Sequence, residues 1–235
     1  TCAKSILIER DKSAEYQRPE ERIQMLGWPR NAALAGDAEA QYWYGQYHYS
    51  GPYIFEYVPE DYKKDDKEAA KWFRLAAEQG VAEAQFMLAR MYGCGQGIPR
   101  DYALALFWFR KAADQDYLDG QRMLGTIYCE GRFVEKDDEQ STYWYRKAAE
   151  QNDATGQCML GENYRDGRGV EQDDEQAVHW FRKAAEQGDS NGQCLLADMY
   201  CKGRGVEQDD EQAVYWYRKA AYQGDGEGLS MLGFM

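Results

Sequence analysis

Two histidines, six cysteines, recurring pairs of acidic residues and two glycine-rich G-R-G-V loops are the groups in this chain whose types could do chemistry. His48 and His179 are candidates for acid-base work. His48, however, occupies a position that tyrosine holds elsewhere in a recurring pattern, and His179 directly precedes Trp180, so packing or surface placement explains both. An aspartate followed three residues on by Glu or Gln recurs at Asp65/Glu68, Asp137/Gln140, Asp173/Gln176 and Asp209/Gln212, and the paired acids here suggest a cation site at first sight. Their three-residue spacing is that of a helix capping box, and acids there also complement the helix dipole, which accounts for them without a metal. Gly167-Arg168-Gly169-Val170 and Gly203-Arg204-Gly205-Val206 follow a helix rather than a strand, so they make no dinucleotide fingerprint. C-x-x-C, H-E-x-x-H, G-x-S-x-G and G-x-x-x-x-G-K-[ST] do not occur. The expectation is a non-enzymatic protein with no catalytic, cofactor or metal site.

The elements that position these groups come in copies. Glutamine recurs at Gln85, Gln121, Gln157 and Gln193 and tryptophan at Trp72, Trp108, Trp144, Trp180 and Trp216, each interval being 36 residues. Two interleaved series in one register predict a stacked repeat, in which each unit covers the apolar face of its neighbour. Within a copy, Ala84, Leu88 and Tyr92 fall on one face of a first helix, helix A. Leu124/Tyr128, Leu160/Tyr164 and Leu196/Tyr200 repeat that face. The small residue after each leucine, Ala89, Gly125, Gly161 or Ala197, permits close approach by another helix. A second helix, helix B, opens at the aspartate cap, buries positions such as Ala177, Trp180, Phe181, Ala184 and Ala185, and ends at Gly188.

These residues resemble the Sel-one-like repeat family, whose pattern A-x-x-x-L-G-x-x-Y-x-x-G-x-G-V-x-x-D-x-x-x-A-x-x-W-Y-x-x-A-A-x-x-G is matched nearly throughout by the last two full copies. The resemblance implies an all-α fold, a right-handed α-solenoid superhelix of antiparallel helix pairs with 36-residue repeats that binds other proteins. In related solenoids the concave face is lined by helix A residues two before, two after and five after the core leucine. Carried over, that selects Tyr42, Gln46 and Tyr49, then Phe86 and Arg90, then Arg122, Thr126 and Cys129, then Cys158, Glu162 and Arg165, then Cys194, Asp198 and Cys201. The series runs from aromatic to polar and thiol-bearing while the core positions repeat. Cysteine-rich members of the family pair a cysteine on helix A with one on helix B, and helix B here carries none. Two roles follow from the resemblance: a scaffold or adaptor holding a partner protein on this face, or an immunity protein that neutralises a toxic secreted enzyme such as a phospholipase.

Composition narrows the partner. A formal net charge of −13 disfavours phosphate-backbone binding and favours a basic protein partner, so no nucleic acid is expected. No apolar run approaches a membrane span. Cys194 and Cys201 are seven residues apart on one helix, about 10.5 Å by helical rise and beyond bridging distance. Cys158 and Cys194 are equivalent positions on stacked helices, at about 9 to 10 Å. Free thiols fit a reducing compartment, whereas a chain that starts at Thr1 fits removal of a secretion signal or a trimmed start, and Cys2 fits a lipoprotein anchor. A bacterial periplasm or cell envelope is favoured slightly over the cytoplasm.

In chain order, residues 1–27 are expected to form an N-terminal cap or arm, and residues 28–235 the solenoid. The latter divides into a partial unit at 28–37, copies at about 38–80, 82–117, 118–153, 154–189 and 190–225, and a partial helix at 226–235. The first copy is eight residues longer than the others: Trp28 to Trp72 is 44, against a period of 36. The excess lies in the loop from Ser50 to Asp65, whose Tyr53, Phe55 and Tyr57 are candidate partner contacts. The third copy carries Phe133 where others carry glycine, which predicts a different loop there.

Overall fold

The computed structural model describes residues 30–50, 63–224 and 226–232. The expected N-terminal arm and the inserted loop lie outside them. Apart from a helical turn at 30–34, the regular elements are α1 (Ala38–Ser50), α2 (Asp66–Glu78), α3 (Ala82–Cys94), α4 (Tyr102–Ala113), α5 (Leu118–Glu130), α6 (Asp138–Glu150), α7 (Ala154–Asp166), α8 (Asp174–Glu186), α9 (Ser190–Lys202), α10 (Asp210–Tyr222) and α11 (Gly226–Leu232). Among the described residues there is no strand. The chain divides within α4 into two compact units, Thr1–Ala105 and Leu106–Met235. In the first, α2 packs on both α1 and α3; in the second, each helix from α5 to α11 packs on its neighbours in sequence, and α7 also meets α9. The odd-numbered elements are helix A of each copy and the even-numbered ones helix B.

The aspartates open helix B as their spacing predicts. Asp137, Asp173 and Asp209 accept from the amides of Gln140, Gln176 and Gln212, all at 2.9 Å, and Asp65 accepts from Lys67 and Glu68. The reciprocal half of the capping box is not needed. The amide of each capping aspartate donates instead to the preceding helix A, Asp137 to the carbonyl of Tyr128 and Asp173 to that of Tyr164. Each cap therefore ties two helices together. Asp153 and Asp189 cap helix A in the same way, through the amides of Gly156 and Gly192 at 2.7 Å.

The most deeply buried aromatic column is the residue after each tryptophan. Phe73, Phe181 and Tyr217 are fully buried, and Phe109 and Tyr145 nearly so. Trp72, Trp144 and Trp216 are also buried, but Trp180, expected inside, is only half-buried, with the Lys183 ammonium 4.5 Å from its ring. The small residue after the leucine gives room to this ring. A Cβ on Gly161 would meet the ring of Phe181 at 2.5 Å, and one on Gly125 the ring of Tyr145 at 2.6 Å. The close approach is that of a helix B aromatic crossing beneath helix A.

The recurring glutamine is a buried polar group, and burial without partners would cost about 1–3 kcal/mol each. Four of them, Gln41, Gln121, Gln157 and Gln193, are satisfied in the same manner, and Gln85 donates likewise to the Ala77 carbonyl. Gln121, Gln157 and Gln193 donate to the carbonyls of Ala113, Ala149 and Ala185 on the helix B before them. They accept from Gln151, Gln187 and Gln223 on the helix B after them, at 2.8 to 3.0 Å. In the first unit Gln41 does the same between Ala33 and Gln79. A second column joins copies from the other side: Arg74 donates to the Tyr92 hydroxyl, Arg146 to that of Tyr164 and Arg182 to that of Tyr200, at 2.9 to 3.0 Å.

The glycine of the interhelix loop is fixed by contact as well as conformation. Gly169 has φ +65, and a Cβ there would lie 2.0 Å from the carbonyl oxygen of Asp138, at the start of the previous helix B. Phe133 fills the equivalent slot with φ +68. The loop of the third copy keeps the left-handed backbone rather than adopting a different one, and the phenylalanine carries the strain, of order 1–2 kcal/mol.

Candidate functional site

The candidate face is a ladder of helix A positions, described here within each unit. In the first unit α1 presents Tyr42, Gln46 and Tyr49, and α3 presents Phe86 and Arg90. All but Arg90 are half-buried, and Arg90 is exposed. Gln46 donates to the Tyr42 hydroxyl at 2.9 Å, and Tyr42 and Tyr49 lie 6.0 and 6.1 Å from the Phe73 ring. The Tyr49 hydroxyl donates to Gln96, and the Lys64 ammonium sits 5.0 Å over its ring. Burial pushes the Tyr42 phenol up; the bond from Gln46 opposes this and the charge of Glu83 adds to it. The Arg90 guanidinium lies 5.9 Å from the Phe86 ring and touches the Met87 sulfur at 3.9 Å. Neither Arg90 nor the exposed Glu83 has an ion-pair partner among the described residues.

In the second unit the same positions are tied down. Arg122 pairs with Asp119 and faces the capping Asp153 at 3.9 Å. The Thr126 hydroxyl bonds the Tyr145 hydroxyl at 3.1 Å, and burial holds that phenol up. Glu162 pairs with Arg168 at 3.2 Å, and Arg165 with Asp166 at 2.8 Å. The bond to Asp166 raises the Arg165 guanidinium and holds the Asp166 carboxyl below the usual carboxylate range. Asp198 takes the Tyr217 hydroxyl and Lys202, the latter at 2.8 Å. Burial first, and then Asp198, drives the Tyr217 phenol up.

Two features of the expected face are corrected. Its positions do not all point away from helix B, because the tip of the buried helix B ring emerges beside them and, where that ring is tyrosine, bonds them. Cys158 and Cys194 are buried rather than lining the face; Cys158 donates to the capping Asp189 at 3.4 Å, and burial raises its thiol. Cys129 and Cys201 are half-buried, and none of the five cysteines among the described residues is in a disulfide. Tyr53, Phe55 and Tyr57 of the inserted loop lie outside the described residues. The two histidines sit as packing predicts: His48 is wedged edge-on against Tyr44 and Tyr47, and His179 rests exposed against Trp180. Among the described residues, no group of three or more His, Cys, Asp or Glu side chains is placed to hold a metal ion, and no helix is long and apolar enough to cross a membrane.

What sequence reasoning missed is the division between committed and uncommitted side chains. Spacing along one helix gives the face, but the partners of Thr126 and Asp198 lie 19 residues on, in the next helix.

Paired helices in register, an amide ladder between copies and ring columns under small residues define a tandem helical repeat scaffold. The family model for the Sel1 repeat matches residues 38–81, 82–117, 118–153, 154–189 and 190–225, and the chain belongs to that family. It is similar in structure to a protective antigen present in uropathogenic Escherichia coli strains that displays an SLR fold. That protein is 39% identical with a TM-score of 0.81, and the match covers 90% of this chain and 44% of the other. A Sel1 repeat protein from Oxalobacter formigenes is 35% identical with a TM-score of 0.75, over 88% of this chain and 58% of that one. The chain thus spans about half the length of these two proteins. An immunity protein from Pseudomonas aeruginosa matches at 19% identity and a TM-score of 0.45, over 81% and 67%, too distant to bear on function. No curated protein matches the sequence significantly. Proteins of this family are in general non-enzymatic scaffolds, of a fold typical of protein–protein interaction.

Proposed function

We propose that the chain is a scaffold that holds a partner protein along its helix A face, at Tyr42, Gln46, Tyr49, Phe86 and Arg90 in the first unit and Arg122, Thr126, Glu162, Arg165 and Asp198 in the second. The observation that supports this reading is the contrast between columns. Glutamine, capping aspartate and ring recur in every copy, and leucine in four of the five, and they are used up in holding copies together, whereas the face positions differ from copy to copy. A scaffold needs the first set constant and leaves the second free to suit one ligand. In this reading Tyr53, Phe55 and Tyr57 of the inserted loop are further partner contacts. The overall charge of −13 favours a partner with a basic surface, through steering rather than through contact energy.

A photo-crosslinking amino acid placed at Phe86 or Thr126, compared with one at the exposed Tyr215 on helix B, tests the reading in the native cell. Crosslinks to one protein from the first two positions and not from the third are expected, and Arg90→Glu is expected to remove them while helicity is unchanged. Crosslinks from Tyr215 alone, or capture indifferent to Arg90, would reject the face.

A further inference from the structure

The uncommitted charges of the first unit say what kind of segment its face takes. Glu83 and Arg90 lie seven residues apart on α3, which places them on one side of the helix about 10.5 Å apart along its axis. Both are exposed, and each is without an ion-pair partner among the described residues. Phe86 lies between them, with Arg90 over its ring. On the neighbouring α1, the Tyr42 hydroxyl accepts from Gln46 and keeps its own proton for an outside acceptor, while the charge of Glu83 reaches it. At the equivalent places in the second unit stand Asp119 and Thr126, and Asp119 is neutralised by Arg122, which takes the place of Phe86.

We infer that this face of the first unit binds an extended, polyproline-II-like segment of the partner that carries one basic and one acidic residue three positions apart. A polyproline II helix has three residues per turn and rises 3.1 Å per residue, so residues i and i+3 share one edge about 9 Å apart. That spacing sets the segment's base against Glu83 and its acid against Arg90. A β-strand does not fit as well, since its same-face residues recur at about 6.6 and 13 Å. Aromatic rings between the two charges are what a polyproline II segment packs on, and the Tyr42 hydroxyl is a donor for its exposed carbonyls. The local acid is therefore matched to Arg90 even though the chain as a whole is acidic. The inference rests on the helix A face being the binding face.

The probes are fluorescent proline decapeptides with one lysine and one glutamate, placed three apart in either order or two apart, titrated by anisotropy against the full chain. One of the two three-apart orders is expected to bind about five- to thirty-fold more tightly than the two-apart peptide, the worth of two exposed ion pairs. The double variant Glu83→Arg/Arg90→Glu is expected to bind still and to reverse the preferred order. Equal binding at both spacings, no binding of any peptide, or an order preference that survives the double swap would overturn it. If the crosslinks at Phe86 persist while the peptides show no preference, only this inference fails; if those crosslinks are missing, the binding face itself is wrong.

Discussion

At the position two residues after the central leucine or its equivalent, the first unit places Gln46 and Arg90 and the second places Thr126, Glu162 and Asp198. The helices that carry them are each 13 residues long, yet the second unit binds every one of its three to a side chain outside that helix, whereas in the first Gln46 bonds Tyr42 of its own helix and Arg90 meets no acid among the described residues. Part of the difference comes from one atom in the ring beneath. Phe73 ends in a C–H under α1, whereas Tyr145 and Tyr217 end in a hydroxyl that reaches Thr126 and Asp198. Where the ring is Phe181, Glu162 is held by Arg168 instead. A shared scaffold can thus hold its face available in one stretch and latch it in another by changes that leave the core undisturbed.

The largest expected effect tests whether the two units really share a core. Phe73→Ala and Phe181→Ala each remove a fully buried ring and should cost about 3–5 kcal/mol in denaturant unfolding. Trp180→Ala, at a half-buried ring, should cost clearly less. Equal losses for Trp180 and Phe181 would mean that the tryptophan column is the true core, and a small loss for Phe73 alone would mean that the first unit is built differently.

The ordering of those two rings also shows what the sequence could and could not reveal. Helix pairs, their caps and the leucine column were legible because each depends on spacing within about ten residues. The tryptophan recurs more conspicuously than the ring after it, which is Phe in three copies and Tyr in two, so periodicity showed that both are core positions, Trp72, Trp144 and Trp216 being buried, but not that the second ring lies deeper. The glutamine column was visible as a series, but its purpose was not. Its acceptor lies eight residues back and its donor 30 residues on, on helices whose adjacency only the fold supplies. The face was legible as positions and illegible as chemistry for the same reason, since whether Arg90 or Arg122 is uncommitted depends on which acids the folding brings alongside.

Of intermediate size is the effect of unlatching. Tyr217→Phe removes a hydrogen bond to a carboxylate and should cost about 1.5–3 kcal/mol. Burial and Asp198 raise the Tyr217 phenol above the value of about 10 it has in an unfolded chain, so its contribution is present below pH 10 and is lost as pH rises beyond it. The alkaline loss of stability should therefore shrink in Tyr217→Phe. Phe73→Tyr makes the converse change, offering the first unit a hydroxyl of the kind that latches the second. Its effect on stability should be well below that of Phe73→Ala, because the ring is kept and only a hydroxyl is added beside Tyr42 and Tyr49. Crosslinking from Phe86 should weaken if a latched face binds less. A Tyr217→Phe variant as stable as the parent at every pH would remove the latch from the account.

The smallest effect separates the units by pH. His48 stands in the first unit where Tyr92, Tyr128, Tyr164 and Tyr200 stand in other copies, and burial lowers its pKa, with Lys71 acting in the same sense and Glu68 and Asp65 against. The imidazole is then neutral in the folded chain where the unfolded chain, with an ordinary value near 6.5, already takes up a proton. The unfolded state binds more protons across that window, so stability should fall as pH drops from about 7 through 6.5 and stop falling below the folded-state value. His48→Tyr restores the residue of the other copies and has no group titrating in that range. A thermal melt of the full chain, repeated across this pH range, should show the acid dip in the parent and lose it in His48→Tyr. A dip that survives the substitution would assign it to carboxylates shared by both units and would erase this distinction between them.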